Sequence, residues 1–208
     1  MTKVFNHVVQ DFTRRLVNDL PSNNTLRGAW AEQLVAHFLG ITELPPNWSY
    51  FDMRDPAGRD ISVKHSVGKA PKFSVKTSNW AWDPTLLARN PASEGWYRSL
   101  NEEAHYWCHA YVFAWLEHPT SEPDLDLVLD PDCWRFAVVS RGEMYSRFAV
   151  DGKPTQKSVG LATLGRETFH PGSQLRALIA AIPLLPDTEM IPVRSMIPWT
   201  DVSAGRRP

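Results

Sequence analysis

Three polar side chains, Asp60, Ser62 and Lys64, recur at two-residue steps in the stretch GRDISVKHS. Ile61 and Val63 fall between them. An extended chain there turns the carboxylate, hydroxyl and ammonium to one face and the apolar pair to the other. A carboxylate beside a lysine can hold a cation and an anionic group together. His65 follows, but no second ligating residue stands at helix or hairpin spacing, so it reads as a packed or exposed histidine. Asp124, Asp126, Asp130 and Asp132 lack the spacing and turn glycine of a calcium loop, and read as a solvated surface loop. Ser140 and Ser158 have no Gly-x-Ser-x-Gly context, which argues against a hydrolase triad. No GxxxxGK[ST] or GxGxxG segment is present, which argues against a nucleotide-binding loop.

Composition narrows the class further. A chain of 208 residues with 43% hydrophobic content suits one folded domain with a substantial core. The formal net charge of -1 gives no global signature of nucleic-acid binding, although a local basic groove requires none. Cys108 and Cys133 sit in aromatic, apolar settings outside any CxxC pair, so they read as buried free thiols. The N-terminus lacks the apolar core of a signal peptide, and no run approaches the length of a membrane span. The cytoplasm is the expected compartment, with no membrane partner. Trp80, Trp82, Tyr106 and Trp107 are candidates for base stacking, but aromatics of this kind more often fill a core.

The elements that must position these groups follow from periodicity. Val4, Phe5, Val8, Phe12, Leu16 and Leu20 mark an amphipathic helix ended by Pro21. Asn23, Asn24 and Thr25 cap a second helix over 26–39, which Gly40 stops. Residues 48–53 read as a strand, 55–58 as a turn, 60–66 as an alternating strand and 72–77 as another. Residues 82–101 look irregular with a short helix. The run 110–116 reads as a buried central strand, 118–132 as a loop, 133–140 as a strand and 174–182 as a helix. This order predicts an α/β fold with a mixed central sheet flanked by helices. Residues 1–182 form the expected domain and 183–208 a Pro-rich tail.

The helix segment RGAWAEQLVA, the strand end YFD and the hairpin strand GRDISVKHS together resemble the PD-(D/E)XK nuclease superfamily, in an uncharacterised bacterial branch. The segments FSVKTSNWAWD, HAYVFAWLEH, DLDLVLDPDCWRFAVV and QKSVGLATL extend the resemblance over roughly residues 25 to 182. It implies a restriction-endonuclease-like core and metal-dependent hydrolysis of DNA phosphodiesters, with Mg²⁺ as cofactor and DNA as partner. By position it implies a catalytic group of Glu32, Asp52, Ser62 and Lys64, and metal ligation by Glu32, Asp52 and Asp60. Lys69, Lys72 and Lys76 are the implied contacts to nucleic-acid phosphates. A homodimer is compatible with the family.

Ser62 is the departure, standing where the family has its second acid. A hydroxyl binds Mg²⁺ weakly, which weakens the metal site. Asp60 shares the strand face of Ser62, but its Cα lies roughly 6.5–7 Å away along the strand. An alternative register makes Asp60 the first acid and Ser74-Val75-Lys76 the motif strand; it too places serine at the acid position. Blander readings stand beside these: Glu32 as a solvated helix residue, Asp52 as a strand-end cap and Lys64 as an edge-guarding lysine. The other function class is a nuclease fold that binds nucleic acid or a protein partner without cleaving.

Overall fold

A computed structural model of the chain describes residues 3–44, 51–75, 80–82, 97–99, 106–151, 154 and 156–185. The first helix, α1 (Lys3–Asp19), ends before Pro21. Asn23 then caps α2 (Asn24–Leu39), its side-chain oxygen accepting from the backbone N–H groups of Thr25 and Leu26 at 3.0 and 3.1 Å. Gly40 closes α2 in the left-handed conformation, with φ 73°, a geometry that favours glycine. The turn at 55–58 leads from β1 (Met53–Arg54) into β2 (Asp60–Val67). After β2 come β3 (Lys72–Ser74), β4 (Trp80–Trp82), β5 (Tyr97–Ser99) and β6 (Ala110–Leu116). The remaining elements are α3 (Leu125–Leu129), β7 (Trp134–Ser140), α4 (Arg141–Phe148), β8 (Ser158–Gly160), α5 (Leu161–Leu164) and α6 (Leu175–Ala180).

The central sheet is mixed and four-stranded, in the order β1-β2-β6-β7. β1 runs antiparallel to β2, β2 parallel to β6, and β6 antiparallel to β7. β3 pairs with β8, and β4 with β5, in two small antiparallel sheets. Side-chain alternation divides the apolar residues of the large sheet between two clusters. Ile61, Val63, Val112, Ala114, Trp134 and Phe136 pack with Ala31, Leu34 and Val35 of α2 and Leu175 and Ile179 of α6. Tyr111, Phe113, Trp115, Ala137 and Val139 pack with Phe73, Val159, Met144 and Phe148. All seven residues of β6 are buried, as its unbroken apolar run requires. The fold is thus a mixed α/β structure with helices flanking an open sheet.

Several elements differ from the sequence expectation. The acidic segment 118–132 contains α3 and a 3₁₀ turn, Pro131–Cys133, because Val128 is driven into the core. The Val128 carbonyl there accepts from the indole N–H groups of both Trp30 and Trp134. Within 82–101, β5 is a strand and pairs with β4. The helix α4 after β7 was not among the expected elements; Ser140 and Glu143 form a capping box at its start. The strand expected over 48–53 is described only as Met53–Arg54, since residues 45–50 lie outside the described residues. Tyr106 and Trp107 are buried, at 0% and 6% exposure, which removes them from any exposed stacking surface. The side chains of Trp80 and Trp82 lie outside the described residues. No helix among the described residues is long and apolar enough to cross a membrane.

Candidate functional site

β1 ends early, and that is what shapes the site. Asp52, just before it, donates its backbone N–H to the Ile61 carbonyl at 2.9 Å and then leaves the ladder. Its carboxylate takes over the pairing. Oδ2 accepts the Val63 N–H at 2.5 Å and the Ser62 hydroxyl at 3.1 Å. Asp52 is therefore fixed on the edge of β2, beside the polar strand face. Ser62 is nearly buried, at 5% exposure, and Lys64 is half-buried two residues on.

Glu32 approaches from α2. Burial pushes its carboxyl up to about 7, the negative charge of Asp52 pushes in the same direction, and Lys64 opposes them. Glu32, Asp52 and Lys64 thus act on one another electrostatically across the helix and the strand. Glu32 therefore holds its proton to higher pH than a free carboxyl does, with burial the main cause and the charge of Asp52 the second.

Asp60 belongs to a different arrangement. Its side chain is fully buried, and Oδ1 accepts from the Arg54 Nε at 2.6 Å. Its N–H meets His109 Nδ1 at 3.0 Å, and its carbonyl accepts the His109 N–H at 2.9 Å. The Arg54 guanidinium also lies 4.8 Å from the centre of the Phe51 ring. Asp60 therefore shares a strand face with Ser62 and Lys64, as alternation predicts, while its carboxylate is committed to Arg54.

The Arg-Gly pair of α2 supports the opposite edge. Arg27 is buried, and its guanidinium donates to the carbonyls of Leu20 and Pro21 and to Asn24 Oδ1, clamping the α1–α2 turn. Gly28 lets His65 lie against the helix: a Cβ there would meet the ring's Cε1 at 3.0 Å. His65 Nε2 contacts Asn24 Oδ1 at 3.1 Å. Burial first, then the charge of Arg27, lowers the His65 pKa to about 4, so the ring is neutral at pH 7. Sequence reasoning attached no role to Arg27, Gly28 or Arg54. Cys108 lies near the site and is buried, and burial together with Asp52 and Asp60 raises its thiol pKa well above the usual range, which favours the neutral thiol.

Of the expected phosphate contacts, Lys69 is exposed in the turn after β2, and Lys72 is exposed on β3, where it lines a cleft shared with Lys64. Lys76 lies outside the described residues. Among the described residues, no group of three or more His, Cys, Asp or Glu side chains is placed to hold a metal ion. Glu32 and Asp52 form a pair of carboxylates, and Mg²⁺ is commonly held by one or two carboxylates with waters completing its shell. A carboxyl pushed up to about 7 by burial and by a neighbouring carboxylate is one whose ionised form a bound cation would favour, so the pair fits such a cation. No family model matches the chain, and no curated protein matches it.

Proposed function

We propose that the chain is a metal-dependent nuclease-like protein that hydrolyses DNA phosphodiester bonds on a restriction-endonuclease-like core. The supporting observation is the electrostatic coupling of Glu32 on α2 with Asp52 and Lys64 at the edge of β2. In this reading Glu32 and Asp52 hold Mg²⁺, which polarises the phosphate and activates water when bound. Lys64 stabilises the negative charge that develops on the phosphoryl oxygens. Ser62 stands at the second acid's place and orients Asp52 through its 3.1 Å hydrogen bond. In this reading Asp60 holds Arg54 in place. The cytoplasm is the compartment in this reading.

The test is cleavage of single- and double-stranded DNA and RNA with and without Mg²⁺. Asp52→Ala and Lys64→Ala are each expected to abolish metal-dependent DNA cleavage while leaving the far-ultraviolet spectrum unchanged. Ser62→Glu, which restores the acid, is expected to raise cleavage. Wild-type protein that cuts no nucleic acid with Mg²⁺ defeats the catalytic reading.

Ser62 also favours a second reading, a nuclease fold that binds nucleic acid without cutting it. Its hydroxyl donates to the Asp52 carboxylate oxygen that also takes the Val63 N–H, and a metal would compete for that oxygen. Magnesium calorimetry separates the two readings. Binding that Asp52→Ala removes supports the enzyme, whereas no binding, together with salt-dependent DNA association, supports the non-cleaving form.

A further inference from the structure

Two Lys-x-Ser tripeptides, Lys64-His65-Ser66 and Lys72-Phe73-Ser74, line one cleft of about 280 Å³. Their placement follows from strand alternation. Phe73 on β3 and Val75 just after it sink into the core at 0% and 3% exposure, so Lys72 and Ser74 are turned out to the exposed face. On β2, Lys64 and Ser66 share a face for the same reason. The backbone N–H of Lys72 donates to Ser66 Oγ at 3.1 Å, which ties the two tripeptides together and uses the oxygen, not the proton, of that hydroxyl.

Ser121 adds a third hydroxyl to the wall, and no acidic side chain lines the cleft among the described residues. Arg27 lines it too. Its guanidinium bonds to the neutral oxygens of Leu20, Pro21 and Asn24, and the charge of Glu122 acts on it from nearby. Residues that carry two ammonium groups, a guanidinium and three hydroxyls thus line one small space. Its cationic and hydroxyl-bearing lining suits a compact anionic group.

We infer that this cleft is a phosphate pocket in which Lys64, Lys72, Ser66, Ser74 and Ser121 take a phosphate group of a nucleic-acid strand. The phosphate chemistry stands on the cleft alone; only the choice of a nucleic-acid strand as its carrier rests on the proposed function. Lys64 belongs to both the cleft and the Glu32–Asp52 group, so the pocket lies next to that group along β2.

The test is a titration of the ¹⁵N-labelled full chain with inorganic phosphate, without divalent metal. Saturable shifts are expected at the amides of Ser66, Lys72, Ser74 and Ser121. Lys72→Glu, on an exposed position, is expected to weaken binding roughly tenfold or more, and Lys72→Arg to retain it. Ser74→Asp, which places a carboxylate in the cleft, gives a second expected loss. Shifts that do not saturate, or that persist unchanged in Lys72→Glu and Ser74→Asp, overturn the pocket. Single-stranded oligonucleotides with 5′-phosphate and 5′-hydroxyl ends then compete against inorganic phosphate. Tighter competition by the 5′-phosphate form assigns the pocket to a terminal monoester, and equal competition assigns it to an internal diester. Competition by neither overturns the strand as carrier. Metal and cleavage play no part, so a chain that binds phosphate but cuts nothing keeps the pocket and loses only the nuclease reading.

Discussion

Asp60 and Asp52 flank one short hairpin, yet their carboxylates meet opposite conditions. Asp60 is fully buried and faces the Arg54 guanidinium at 2.6 Å. Asp52 is half-buried and receives an amide and a hydroxyl, with a second carboxylate acting on the same region. A buried charge with a fixed counter-charge is part of the fold. A carboxylate held by neutral donors, with a second carboxylate and one lysine nearby, has no counter-charge fixed to it and is a place where a cation can be held. The difference lies in what compensates each group, not in how many acids are present.

Breaking the Arg54–Asp60 pair has the largest expected effect on stability. Arg54→Met leaves the Asp60 carboxylate buried without its guanidinium, a change that typically costs about 3–5 kcal/mol. Arg54 is itself 32% exposed, which places the expected loss near about 3 kcal/mol by urea denaturation at pH 7. A loss below about 1 kcal/mol would erase the contrast between the two aspartates. Asp52→Asn keeps an acceptor for the Val63 N–H, so its expected cost is about 1 kcal/mol or less. The same substitution removes Mg²⁺ binding if Asp52 is a ligand. The pair of variants therefore separates a structural carboxylate from a functional one.

The smallest effect is a pH dependence, and two groups contribute to it with opposite sign. The folded chain holds the Glu32 proton up to about 7, whereas the unfolded chain releases it near the ordinary carboxyl value of 4.5. Stability therefore falls as pH rises through that window. His65 does the reverse: its pKa is lowered from 6.5 to about 4, so its contribution is present above 6.5 and is lost as pH falls toward 4. Glu32→Gln is expected to raise the melting temperature at pH 8 more than at pH 5. Equal shifts at both pH values would show that the folded chain does not hold the Glu32 proton above its ordinary range. Added Mg²⁺ is expected to oppose the Glu32 effect, because a cation favours the ionised carboxylate.

The strands and helices nearest the candidate site were the most legible parts of the sequence. Alternation in Asp60–Lys64 placed Ile61 and Val63 in one core and the polar set on the other face, as found. The caps Asn23 and Gly40 fixed α2, and the continuous run at 110–116 marked the buried centre of the sheet. The helix α3 was hidden because acidic residues and prolines dominate its surroundings, while one buried side chain, Val128, decides its conformation. β5 was hidden because its strand character comes from pairing with β4, a partner some fifteen residues earlier, and not from a local pattern.

Residue types and spacing by themselves determined which side chains share a strand face, where α2 starts and stops, and that Ser62 occupies a position flanked by Asp60 and Lys64. Tertiary structure alone decided which acid is paired and which is not. That choice depends on Arg54 reaching Asp60 across the hairpin, and on α2 bringing Glu32 toward Asp52. It also decided that two Lys-x-Ser tripeptides line one cleft. Spacing along a chain fixes the direction of a side chain within its own element, whereas compensation of charge depends on groups that only the packed fold brings within reach.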